Sequence, residues 1–155
     1  MKWKFPPKIK IYEALGVVGD KRITVSRNKA KVFSSSGNKF YEIEYDPKSG
    51  SIMSNDNGSY WQGYLGYPSI AFLMSREKIK YEAKFAGLLK GIKWKDINSK
   101  FKNDFSKTEA YIKEDLIRKG VNITEFENEI TNIQEQIKTV KIGMLGKKKK
   151  PPQGY

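Results

Sequence analysis

The stretch Ile23-Thr24-Val25-Ser26-Arg27-Asn28-Lys29-Ala30-Lys31-Val32-Phe33-Ser34-Ser35-Ser36-Gly37-Asn38-Lys39-Phe40-Tyr41-Glu42-Ile43-Glu44-Tyr45 decides how this chain folds. From Arg22 to Arg27, Ile23 and Val25 alternate with Arg22, Thr24 and Ser26, and from Lys29 to Ser35, Ala30 and Val32 alternate with Lys29, Lys31 and Phe33. A period of two puts one set on a core face and the other in solvent, so the two runs read as a β-hairpin turning near Asn28. Ser36-Gly37-Asn38 is a second turn, and from Lys39 to Tyr45 the residues Tyr41, Ile43 and Tyr45 oppose Phe40, Glu42 and Glu44. Asp46-Pro47-Lys48-Ser49-Gly50 turns the chain again, and Ser51-Ile52-Met53-Ser54 supplies a short fourth strand. The expectation is a four-stranded antiparallel β-meander in an α+β fold.

Outside this stretch the periodicity changes to that of helices. Ile11, Tyr12, Leu15 and Val18 recur at helical spacing between 9 and 18, after Pro6-Pro7 and before Gly19-Asp20. Pro68 suits the first helical position, and Ile70, Ala71, Leu73 and Met74 make the helix it opens apolar enough to pack on the sheet. Further helices are expected from Ile79 to Ile92 and from Lys95 to Phe105. Ser106 with Glu109, and Thr124 with Glu127, match the capping box that marks helix starts, and Gly120 separates the two helices that follow. Ile123, Phe126, Ile130, Ile133, Ile137, Val140 and Met144 are spaced 3, 4, 3, 4, 3 and 4, a heptad seam that needs a partner helix. That partner is either a second chain, making a dimer, or the preceding helix with Ile112 and Leu116. The organisation expected is an α+β domain over 1–119, an oligomerisation helix over 120–145 and a disordered basic tail over 146–155.

With 155 residues, 38% of them hydrophobic and 13% aromatic, the chain can bury a sizeable core. Thirty Lys and Arg against 17 Asp and Glu give a formal charge of +13, which attracts polyanions. The charge is unevenly spread: net +7 over 1–31, −2 over 32–77, +6 over 78–119, −2 over 120–143 and +4 over 144–155. The absence of both Cys and His excludes thiolate nucleophiles, imidazole bases, zinc fingers and disulfides. No signal-like or membrane-length apolar run is present, so a cytoplasmic, nucleoid-associated protein with no membrane partner is expected. Gly63 and Gly66 lack the Gly-Lys-Ser/Thr of a phosphate loop, and Glu82-Ala83-Lys84 with Asp56 is too unspecific a match to imply a metal-dependent nuclease. No enzyme activity, cofactor or metal is expected.

The segment from Asn55 to Tyr67 places Tyr60, Trp61, Tyr64 and Tyr67 within eight positions of a polar loop. Aromatic planes stack unpaired bases at about 1–3 kcal/mol each without selecting sequence, and cations nearby neutralise phosphates. The candidate nucleic-acid-binding set is therefore these four with Phe33 and Phe40, together with Arg22, Arg27, Lys29, Lys31, Arg76 and the tail lysines Lys147, Lys148, Lys149 and Lys150. The plainer reading is that the loop aromatics close the core and that Glu42, Glu44 and Asp46 form a solvated strand face balancing basic neighbours.

Two resemblances arise at these residues. The run from Lys31 to Tyr41, followed by Gly66-Tyr67-Pro68-Ser69-Ile70-Ala71 at a helix start, resembles a SWIM module whose metal-binding Cys-x-His is missing, which implies a retained sheet and no zinc. The basic head, small sheet, heptad helix and basic tail together resemble the archaeal ThermoDBP-type single-stranded-DNA-binding proteins. That resemblance implies pairing through the C-terminal helix and a basic, aromatic-lined cleft for a single strand. The function expected is non-enzymatic binding of single-stranded DNA or RNA with little sequence preference. A ribosome-associated RNA-binding protein and a duplex-DNA chromatin or transcription protein are the alternatives.

Overall fold

A computed structural model describes residues 2–146 and 149–153. The first helix, α1 (Ile9–Asp20), is nearly all apolar and is buried along most of its length by Ile9, Ile11, Tyr12, Ala14, Leu15 and Val17. A five-stranded mixed sheet follows: β1 (Ile23–Ser26), β2 (Lys29–Phe33), β3 (Phe40–Asp46), β4 (Ser51–Ser54) and, at the far end of the chain, β5 (Gly143–Met144). The order is sequential, with β1 to β4 antiparallel to their neighbours and β5 parallel to β4. The α+β class is as expected, and the sheet is five-stranded and mixed instead of the expected four-stranded antiparallel meander. At the β3–β4 turn the Asp46 carboxylate accepts from the Lys48 N–H (3.0 Å) and the Ser49 hydroxyl (2.8 Å). These bonds hold its carboxyl below the usual range, the Ser49 bond contributing most.

The inner sheet face, with Ala30, Val32, Tyr41, Ile43, Tyr45 and Ile52, faces the core. Against it lies α2 (Tyr67–Ser75), in which Ile70, Ala71, Phe72, Leu73 and Met74 are all buried, because α1 covers the side the sheet does not. Around α1 stand the short helices α3 (Ala83–Leu88) and α4 (Trp94–Lys100), then α5 (Phe105–Arg118) and α6 (Ile123–Thr139). Gly19 permits the closest of these approaches, since a Cβ there would overlap the Ala86 carbonyl of α3. The caps correct the expected starts by one or two residues: Asp104 accepts from the Lys107 N–H, and Asn122 from the Thr124 and Glu125 N–H groups. Ser106 and Thr124 therefore lie inside their helices.

The C-terminal seam is also corrected. α6 ends at Thr139, so Val140 is extended chain and Met144 belongs to β5. Phe126, Ile130, Ile133 and Ile137 are buried in this chain's own core, and Phe126 meets Tyr12 edge to face at 5.3 Å. Ile123 packs partly buried against the same core. The seam's partner is thus intramolecular, with α1, Phe85 and α5 contributing, and residues 120–145 are part of the same core as the sheet rather than an appended helix. A periodic stripe identifies the buried face of a helix but not what buries it.

The tail is likewise placed differently over its described part. Lys149 pairs with Glu42 on β3, and the Lys150 carbonyl accepts from the Asn55 amide at 3.3 Å, so this segment lies against the sheet instead of extending freely. Lys147 and Lys148 lie outside the described residues. Among the described residues, no helix is long and apolar enough to cross a membrane.

Replacing Ile133 with Asp puts an unpaired charge in the intramolecular core. Urea unfolding should show a loss of about 4 kcal/mol or more. A variant as stable as wild type would show that the seam is not buried within the chain.

Candidate nucleic-acid interface

The outer face of β2 and β3 is set by register. Lys29 stands opposite Glu44, Lys31 opposite Glu42, and Phe33 opposite Phe40. Phe33 and Phe40 stay 37% and 41% exposed, with ring centroids 5.8 Å apart, and the Lys31 ammonium sits 4.9 Å from the Phe40 centroid. The acids balance the strand lysines, as the plainer sequence reading expects, although the Lys29–Glu44 pair is loose at 4.0 Å and well exposed.

Arg22 is fixed beside this aromatic pair. Its Nε donates to Asp20 Oδ2 at 2.9 Å and its Nη1 to the Phe33 carbonyl at 2.6 Å, while Asp20 Oδ1 accepts from the Gly91 N–H at 2.7 Å. Nη2 has no hydrogen-bond partner among the described residues. Arg27 and Arg76 lie elsewhere, at the opposite end of β2, where Arg27 occupies the hairpin turn at φ 56° and its carbonyl accepts from Arg76 Nη1. The predicted cations are thus divided between the two ends of the strand.

The aromatic segment is divided too. Chain leaves β4 beside Glu42, at the Phe40 end of the sheet, and winds one π-helical turn over Gly58–Gln62. This turn carries Trp61, 65% exposed, with Tyr60 edge-on to it at 4.6 Å. Tyr64 and Tyr67 turn inward: Tyr64 packs under Gly58, and Tyr67 meets Tyr41 edge to face at 6.0 Å. Burial pushes the Tyr64 phenol upward in pKa; Lys10 opposes this, while Asp56 and Glu13 add to it.

Tyr67 and Tyr41 help to line a cavity of about 380 Å³ that sequence reasoning does not reveal. Its walls include Lys10 and Glu13 from α1, Arg22, Ser34 and Ser35 after β2, Tyr41, Asp56 and Tyr67, and Trp94, Lys95 and Asn98 from α4. Lys10 Nζ pairs with Glu13 Oε2 at 2.9 Å, Glu13 Oε1 accepts from Asn98 Nδ2 at 3.2 Å, and Asn98 Oδ1 accepts from the Thr108 hydroxyl at 3.0 Å. Asp56 accepts from the Ser59 hydroxyl (2.6 Å) and N–H (3.1 Å). A Cβ at Gly66 would overlap the Asp56 carboxylate, which is why glycine precedes α2. Ser35 joins the β2–β3 turn to α4: its hydroxyl accepts from the Trp94 N–H at 3.1 Å and its carbonyl from Lys93 Nζ at 3.0 Å. A sequence signal did exist, for a lysine and a glutamate three apart inside an otherwise apolar helix are costly unless paired.

Burial alone lowers the Lys10 pKa, but Glu13, Tyr64 and Asp56 outweigh it and the net direction is upward. The ammonium keeps its proton and serves as a charge rather than as a base. Glu82, from the triplet with Lys84, is instead at the start of α3, where its N–H donates to Glu129 Oε2 at 2.6 Å.

The fold and site define an α+β protein with a five-stranded mixed sheet, an exposed aromatic pair and a charged cavity behind it. The family described as Uncharacterised conserved protein UCP014422 matches residues 3–143, and the chain belongs to it. No curated protein and no solved structure matches.

Lys10 is only 14% exposed at its side chain, so Lys10→Met leaves the buried Glu13 carboxylate without its cation and should cost about 3–5 kcal/mol near neutrality. Because the folded pKa lies above the unfolded one, that stabilisation is complete below about pH 10.4 and fades as pH climbs through the folded value. Chemical denaturation of both proteins from pH 7 to 11.5 should show the stability gap narrowing at the alkaline end, and a gap independent of pH would refute the pairing.

Proposed function

We propose that this protein binds unpaired nucleic acid, DNA or RNA, without catalysing a reaction on it. The observation that carries the reading is the Phe33–Phe40 pair, exposed on a sheet surface and flanked by Lys31 and the pre-positioned Arg22. Exposed aromatic planes bracketed by cations suit stacked bases and their phosphates, whereas a duplex hides its base faces and needs only the cations. Trp61, on a turn at the same end of the sheet, extends the stacking surface. The net charge of +13 supplies the long-range attraction.

Titrating the protein's tryptophan fluorescence with a 12-nucleotide single strand and with the matching duplex tests this. The single strand should quench the signal and bind at least tenfold more tightly. Phe33→Ala/Phe40→Ala should weaken it by about 2–4 kcal/mol from two lost stacks while leaving the salt slope unchanged. Duplex binding equal to single-strand binding, with no effect of the double substitution, would favour a duplex-DNA protein and end the proposal.

A further inference from the structure

We infer that the cavity between α1, the 55–67 loop and α4 is a site for one unpaired nucleotide, with the base inside and the phosphate at the rim. The inference rests on the proposed function, and it gives that function a specific pocket in addition to a stacking surface.

Charge is graded with depth in this cavity. Glu13 and Asp56, both only 4% exposed, lie inside, whereas Lys95 at the wall is exposed and Lys93 is bonded to the Ser35 that lines it. Arg22 reaches the cavity with its Nη2 hydrogens unpartnered among the described residues. Inside, Lys10 pairs with Glu13, and Asp56 leaves a net negative charge, so a bare anion is repelled there, and an apolar ligand would bury these groups without compensation. Tyr41, Tyr67 and Trp94 supply flat walls, and the Glu13 and Asp56 carboxylates supply acceptors for exocyclic amines and ring N–H groups. A ligand that is anionic at one end and planar, with donors, at the other matches all of these at once, and a nucleotide has that form. The volume is within the range of small-ligand pockets and admits one base. Phe33 adjoins Ser34 and Ser35 of the wall, so a strand stacked on Phe33 and Phe40 could turn its next base inward, as single-strand readers do.

Ser99 and Asn57 line the cavity from exposed positions, on α4 and before the π-turn, so a larger side chain at either plugs it without entering the core. Calorimetric titration of the full chain with AMP, GMP, CMP and UMP, and anisotropy with a labelled single strand, should be run on wild type, Ser99→Phe, Asn57→Phe and Phe33→Ala/Phe40→Ala, each checked by circular dichroism. At least one mononucleotide should bind wild type one to one, bind the Phe33/Phe40 variant within twofold of that, and bind whichever plugged variant folds at least tenfold more weakly. The plugged variant should also bind the strand more weakly if the nucleotide comes from a strand, and equally well if the site serves free nucleotides. Absence of saturable mononucleotide binding, plugged variants that bind like wild type, or uptake of free arginine in place of any nucleotide would overturn the inference. If the strand still binds and depends on Phe33 and Phe40, only the cavity assignment fails; if mononucleotides bind and no strand does, only the proposed function fails.

Discussion

The fold depends on burying α1 on nearly every side while two of its inward residues, Lys10 and Glu13, carry charge. Six apolar side chains of this helix reach the core, and the same helix brings Lys10 and Glu13 with them. An ammonium and a carboxylate taken out of water each lose several kcal/mol of solvation, which is recovered only through close pairing and further hydrogen bonds. Here the pair is 2.9 Å apart, and Glu13 continues through Asn98 to Thr108, so α1, α4 and α5 are joined by one polar chain inside an apolar shell. The positions of three helices are thereby coupled to one ion pair. The cavity lies beside this chain of polar groups, with Lys10, Glu13 and Asn98 in its wall.

Backbone proximity sets the rest of the geometry. Gly19 lets α1 meet α3, and Gly66 lets the entry to α2 lie on Asp56, whose carboxylate in turn organises the π-turn through Ser59. The acid inside the cavity and the exposed Trp61 outside it are thus on two sides of the same short loop. A change that moves Asp56 also moves the turn that presents Trp61, which links the interior of the site to its surface.

The strands were legible because a half-buried strand writes its environment into alternate residues, and Lys29 to Phe33 and Phe40 to Asp46 do so without interruption. β5 was not, because two residues paired in parallel with β4 carry no alternation to detect. The spacing from Ile123 to Ile137 marked the buried face of α6 correctly, yet it read as a zipper because a period contains no information on whether the covering helix lies in the same chain. Phe33, Phe40, Arg22 and Lys31 were legible as an aromatic and basic patch and are adjacent in space. Tyr60 to Tyr67 were legible as a cluster but not as a division, since which ring points inward depends on the π-turn. The cavity was hidden because Lys10, Arg22, Tyr41, Asp56 and Asn98 come from five separate segments that only tertiary packing brings together.

Where the field is strongest follows from which charges cancel locally. On the outer sheet face Lys29 is matched by Glu44, and Glu42 faces Lys31 across the strands and takes Lys149 from the tail, so the face carries little net charge despite its lysines. Around the β2–β3 turn cations collect: Lys93 donates to the Ser35 carbonyl, Arg22 to the Phe33 carbonyl and to Asp20, which is shared with the Gly91 N–H, and Lys95 lines the cavity beside them. Interactions between exposed charges fade beyond about 8–10 Å at ordinary salt, so a polyanion responds to this local excess more than to the molecular total. The excess coincides with Phe33 and Phe40 on one side and the mouth of the cavity on the other. On the proposed function, a flexible strand drawn to the turn by its phosphates would meet both aromatic surfaces, whereas a stiff duplex would satisfy the cations without bringing a base face to either.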